Sequence, residues 1–160
     1  MGAIAALPDE LAGRLDVPAR MTPAAATPWV PLAQGRAFKP IRFLRDDRGY
    51  VALLRLDPGT VVPPHRHTGE LHAYTLSGCR ELSSGERVGP GDYVYEPAGC
   101  IDAWTAVGDE PVIVLIVLHG AVEFLDAGGA VAWRYSAQIK EKAYREHCAA
   151  HRLEPLDLVE

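Results

Sequence analysis

No stretch of this chain is apolar long enough to cross a bilayer as a helix. The longest apolar run, Val112 to Leu118, falls far short of the roughly 20 residues a spanning helix needs. Lysine and arginine form no block, and the net charge is −5, so the basic footprint of a nucleic-acid binder is missing. Cysteine is scarce and odd in number. Cys79, Cys100 and Cys148 are widely spaced with no Cys-x-x-Cys pair, which argues against a disulfide framework or a thiolate zinc site. Free thiols in a reducing cytoplasm are the expectation. No positive charge precedes the short apolar run Ala3 to Leu7, and Pro8-Asp9-Glu10 follow at once, against a secretory signal. Met-Gly opens the chain, but Ala6 stands where a myristoylation signal prefers Ser or Thr.

What remains is the composition of a globular protein: 48% hydrophobic and 23% charged over 160 residues, enough for one domain with a sizeable core. Residues 1–35 are rich in Ala and Pro and read as an N-terminal arm, with a short helix around Asp9 to Leu15 and Trp29 as its anchor. From Ile41 the pattern becomes short apolar segments cut by turn signals. Asp46-Asp47-Arg48-Gly49 joins Ile41–Arg45 to Tyr50–Leu56, and Asp57-Pro58-Gly59 is a turn. Further strands are expected at Leu71–Ser77, Arg80–Leu82, Tyr93–Glu96, Ile101–Ala106, Val112–Leu118, Val122–Leu125 and Ala130–Trp133. Turn signals about every ten residues indicate an all-β sandwich or barrel over 36–135. Residues 136–160 form a C-terminal helix and tail, the helix starting at Ala137 with Ser136 as its N-cap. His147 and His151 share a face of that helix, where a solvated or packing role is commoner than a metal site.

The residues that carry chemistry begin at His65-Arg66-His67, after Pro63-Pro64. Alternation along a strand turns His65 and His67 to the same face, where two imidazoles suit a divalent metal. The spacing then matches two ordered motifs. Gly59, His65-x-His67 and Gly78 fit the first; Gly91, Pro97 and Gly99 fit the second.

This ordered pair resembles the cupin superfamily over about residues 40–125 and implies an all-β double-stranded β-helix, a jelly-roll barrel. Two positions depart from the pattern. The glutamate slot of the first motif holds Leu71 counted back from Gly78, or His72 counted forward from His67; Leu71 is favoured because it shares the strand parity of His65 and His67 if the strand carries no bulge. Asp102 stands where the second motif has its histidine, and Ala106 where it has asparagine. Loss of the first glutamate is a mark of three-histidine cupins. The strings His-Arg-His-Thr-Gly, His-Ala-Tyr-Thr-Leu-Ser-Gly, Tyr-Val-Tyr-Glu-Pro-Ala-Gly and Tyr-Arg-Glu-His-Cys look most like the 2,4'-dihydroxyacetophenone dioxygenases, beside the acetylacetone dioxygenases.

That resemblance implies a non-haem Fe(II) dioxygenase that takes a small hydroxyketone or diketone and O₂ and cleaves a C–C bond. Zinc or nickel could replace the iron on isolation. The implied metal ligands are His65, His67 and Asp102. With Asp102 the set is two histidines and a carboxylate, as in many non-haem iron oxygenases; the other reading is that the third ligand has been lost. His119 and His72 are alternatives, and Glu81 is a candidate fourth ligand. Glu96 is placed to act as base or to orient a ligand imidazole, or else is a rim carboxylate paired with Arg80 or Arg87. Tyr74, Thr105, Tyr95 and Trp104 are expected to border the barrel interior, with Tyr74 and Thr105 joining Glu96 as candidate catalytic residues. Cys100 lies two residues before Asp102, where it reads as a small buried hydrophobe. A homodimer is expected, in the cytoplasm, with no nucleic-acid or membrane partner.

Two other readings stand beside this one. A metal or small-molecule sensor, like the cupin half of ChrR-type anti-sigma factors, is disfavoured because no cysteine precedes Cys79 and no histidine precedes His65. A cupin isomerase or degenerate binding protein would have abandoned metal redox chemistry.

Overall fold

The computed structural model describes residues 8–12 and 19–159. Among the described residues, twelve strands follow a four-residue helix, α1 (Asp9–Ala12), and precede one longer helix, α2 (Ala137–Ala150). The rest of the expected N-terminal helix lies outside the described residues. The strands are β1 (Val30–Ala33), β2 (Arg36–Leu44), β3 (Gly49–Leu56), β4 (Val61–His67), β5 (Leu71–Ser77) and β6 (Cys79–Leu82). After them come β7 (Arg87–Val88), β8 (Tyr93–Glu96), β9 (Ile101–Val107), β10 (Val112–His119), β11 (Val122–Leu125) and β12 (Val131–Tyr135).

They form two six-stranded sheets, ordered β1-β2-β3-β10-β5-β8 and β12-β11-β4-β9-β6-β7, with antiparallel pairing throughout. This is the expected jelly roll. Alternation drives the packing: Val112, Val114, Ile116 and Leu118 of β10 are buried, and the residues between them are only half-buried. Phe38, Tyr50, Leu56, Trp104 and Ala106 complete the core between the sheets.

Val30–Ala33, at the end of the expected arm, is an edge strand that pairs with β2. Trp29 beside it is half-buried. α2 starts as expected, with the Ser136 hydroxyl accepting from the Ile139 N–H. It follows β12 of one sheet and packs on β1 and β2 of the other, so it closes one side of the sandwich.

Two local features place the histidines. Pro63 and Pro64 lie inside β4, in the middle of the second sheet, and proline has no N–H to give to a ladder. The pairing with β9 shifts register between Val62 and His65 at this point, which is where a sheet tolerates proline. The shift lets Val62 and His65, three residues apart, both line the interior. After His67 the chain crosses to the other sheet at 68–70. Thr68 fastens that crossing by donating its N–H to Ala121 O (2.9 Å) and accepting the Ala121 N–H at Oγ1 (2.8 Å). Gly69 passes so close to β10 that a Cβ there would fall 2.0 Å from His119 O.

Candidate metal centre and cavity

Between the sheets lies a cavity of about 700 Å³, its open mouth included. His65 and His67 line it, both buried, with ring centroids 5.0 Å apart. The Nδ1 of His65 hydrogen-bonds the carbonyl of Pro63 at 2.9 Å, which leaves Nε2 as its free nitrogen. Burial lowers the pKa of His65, the Pro63 hydrogen bond opposes this, and His67 adds to the lowering. His65 is therefore a neutral imidazole near pH 7, the form that can donate a lone pair.

Glu96 also lines this wall, at 8% exposure. It is the last residue of β8, where Tyr93 and Tyr95 face out and Glu96 faces in. The Pro97–Cys100 turn that follows is tied to β4: Gly99 N donates to His67 O (2.8 Å), and His67 N donates to Cys100 O (3.2 Å). This clasp holds Glu96 against the second histidine, with Oε2 2.6 Å from His67 Nδ1. The approach is short, but it is not aligned as a hydrogen bond, and both atoms are buried without one. A buried imidazole nitrogen and a buried carboxylate oxygen in that condition are donors suited to a cation.

A divalent ion therefore finds two imidazoles and a carboxylate on one wall. Among the described residues, no three His, Cys, Asp or Glu side chains stand grouped to hold a metal ion.

Asp102 was the expected third ligand. It pairs with His65 across the β4–β9 ladder, but its Oδ1 accepts from Ser83 Oγ (2.6 Å) and Ser83 N (3.3 Å). Its charge still reaches His65, where it opposes the lowering of the pKa by burial, but that oxygen is taken up by Ser83. Asp102 has been captured by the β6–β7 turn.

The alternatives point elsewhere. His72 faces outward, bonded to the Tyr93 hydroxyl at 2.7 Å and 3.6 Å from Glu70. His119 is exposed at the end of β10, and Glu81 pairs with Arg87 on the outside. His147 and His151 stack on each other at the C-terminal end of α2, where His151 Nδ1 hydrogen-bonds the His147 carbonyl. All three cysteines are free, with Cys148 buried and Cys79 and Cys100 half-buried.

Of the residues expected to border the interior, Trp104 lines the cavity. Tyr74 does not: it is 44% exposed, because Leu71, Ala73 and Thr75 are the inward residues of β5. Tyr95 faces out for the same reason, and Thr105 is on the face of β9 opposite Trp104 and Ala106. Leu71, in the first-motif glutamate slot, does line the cavity.

Sequence reasoning put Arg80 at the rim, not inside the cavity, and did not single out Lys140. Arg80 is buried over the Trp104 ring at 5.0 Å, its Nε and Nη2 without hydrogen bonds. Burial lowers its pKa, while Glu96 and Asp102 counter the loss. In sequence it is one arginine on a weak strand, and only the pairing of β6 with β9 puts it inside.

Two packed β-sheets around a histidine-lined cavity define the chain as a cupin. It belongs to the family of the ChrR cupin-like domain, whose model matches residues 18–123. No curated protein matches the chain. Among solved structures it is similar to an RmlC-like cupin protein from Ralstonia eutropha JMP134. The TM-score is 0.84 at 22% identity, covering 90% of this chain and 96% of that one. It is also similar to an acetylacetone dioxygenase from Acinetobacter johnsonii, with a TM-score of 0.68 at 14% identity, covering 91% of this chain and 99% of that one. At such identities the likeness establishes the fold alone. No helix among the described residues is long and apolar enough to cross a membrane.

Proposed function

We propose that this protein is a metal-dependent dioxygenase, with non-haem Fe(II), that cleaves a C–C bond in a small hydroxyketone or diketone. The observation that carries the reading is the convergence of His65, His67 and Glu96 on one wall of a largely apolar cavity. His65 through Nε2, His67 and Glu96 would hold the ion. Bound there, Fe(II) would supply Lewis acidity toward the substrate oxygens and redox chemistry with O₂. The sequence and fold resemblance to acetylacetone dioxygenases supports the class.

The chain's own residues have definite tasks. Leu71, Val62, Ile116 and Phe124 keep water from the wall around the histidines and favour an aryl or acyl substituent. Glu96 would hold the ion through Oε2, which lacks an aligned hydrogen bond, and leave its other oxygen to take the proton released when the substrate enolises. Arg80, on the same cavity wall with two unpartnered donors, would stabilise the developing enolate oxygen, and the buried setting would strengthen that interaction. A homodimer and a cytoplasmic location remain part of the proposal. The exposed Tyr74, Leu76, Tyr93 and Tyr95 on β5 and the β8 edge offer it an apolar face.

The test is metal analysis of purified protein, then anaerobic Fe(II) reconstitution and an oxygen-uptake assay with hydroxyacetophenones and 1,3-diketones. Iron-dependent uptake with formation of a carboxylic acid product supports the reading. Iron that binds without any uptake would instead favour a sensor or binding protein, and no iron binding would remove the metal from the account.

A further inference from the structure

A second set of charged groups enters the same cavity. Lys140 projects from α2 and is 2% exposed. Its Nζ stands 4.3 Å from the ring centre of Phe38, 4.8 Å from that of Tyr135 and 5.1 Å from that of Tyr50. Arg36, on β2, lines the cavity too, with its guanidinium 5.8 Å from the centre of the Phe124 ring. Among the described residues, neither cation has a hydrogen bond or ion pair. The one carboxylate on the cavity wall is Glu96, and it stands against His67.

This is an unusual way to attach a helix. Taking an ammonium out of water costs several kcal/mol, whereas cation–π contacts return about 2 kcal/mol at a desolvated site. A methionine would pack against the same rings without that cost. Burial, with the nearby charge of Arg36, pushes the Lys140 pKa down to about 7. Two cations that raise each other's energy in one low-dielectric space are complementary to an anion. A guanidinium offers a planar fork to a carboxylate and an ammonium adds a point charge. The surrounding rings suit an aromatic or short aliphatic body.

We propose that Arg36 and Lys140 form a binding site for the carboxylate of a small organic acid inside the barrel. The site itself needs no metal. Its extension to the substrate, as a keto or hydroxyketo acid anchored by its carboxylate, rests on the dioxygenase reading.

The experiment is calorimetric titration of the full-length protein with benzoate and with benzamide, its neutral counterpart, before and after chelator treatment. Benzoate is expected to bind about tenfold or more tightly than benzamide, a gap of about 1.4 kcal/mol, with or without chelator. Lys140→Met and Arg36→Gln should each weaken benzoate about tenfold and leave benzamide unchanged. Arg36 is only half-buried, so its variant serves even if the lysine variant folds poorly. Equal binding of the two probes, no benzoate binding, loss of benzoate binding on chelation, or unchanged benzoate affinity in both variants would overturn the site. Benzoate discrimination without oxygen uptake would leave the carboxylate site standing and remove the dioxygenase.

Discussion

Leu71 of β5 and Glu96 of β8 are direct partners across their ladder, and both line the cavity that holds His65 and His67. The first motif's glutamate slot is therefore filled by a leucine whose neighbour on the adjoining strand carries a carboxylate. Cross-strand partners on one face lie about 5 Å apart, so a carboxylate in either position reaches the same wall. Glu96→Leu should cut metal affinity by about 10- to 100-fold. The double variant Leu71→Glu with Glu96→Leu should recover at least part of it, measured as metal retained after gel filtration. If the double variant binds no better than Glu96→Leu alone, the two positions are not interchangeable and Glu96 acts from its own place.

Tyr74 and Thr105 lie on the wrong faces of their strands to touch anything in the cavity. Tyr74→Phe and Thr105→Val should leave metal content and steady-state oxygen uptake within about twofold of the parent protein, as is usual for surface substitutions. A loss of kcat of about 100-fold in either would mean that the inward and outward assignment of β5 or β9 is mistaken.

Lys140 gives the protein a pH signature. Its folded pKa of about 7 is below the 10.5 of an unfolded lysine. Between those values the unfolded chain binds more protons, so stability rises with pH through this window. The groups facing Lys140 are Arg36 from β2, Tyr50 from β3 and Tyr135 from β12. Both tyrosines are pushed upward by burial and stay protonated below pH 10. Urea unfolding at pH 7 and pH 9.5 should show the parent gaining about 1–3 kcal/mol relative to Lys140→Met. A difference that does not change with pH would show that the ammonium keeps its charge and is not desolvated.

Much of the fold could be read from residue order because the jelly roll alternates strictly. Val112–Leu118 and Leu71–Ser77 announce buried strands, and Pro97-Ala98-Gly99 announces the turn that clasps His67. The histidine pair was legible for the same reason, since two residues apart on one strand means one face. The carboxylate was not. Spacing within a motif pointed to Asp102, but Ser83, from the β6–β7 turn, holds that side chain, and a hydrogen bond from a separate hairpin leaves no local trace. Leu71 does line the cavity as its strand parity suggested, but parity is not the reason, because the chain changes sheets at 68–70. The burial of Arg80 and Lys140 was missed because nothing local marks an arginine or lysine as buried. Lys140 was hidden further by a polar helix whose inward face shows only after it docks on β1 and β2.

Anaerobic Fe(II) titration of the parent protein beside Glu96→Gln and Asp102→Asn tests the centre most directly. One ion per chain is expected in the parent, with a loss of affinity of about 10-fold or more in Glu96→Gln and near-parent binding in Asp102→Asn. Loss of iron in Asp102→Asn with full binding in Glu96→Gln would contradict that expectation, and would return the third ligand to the aspartate.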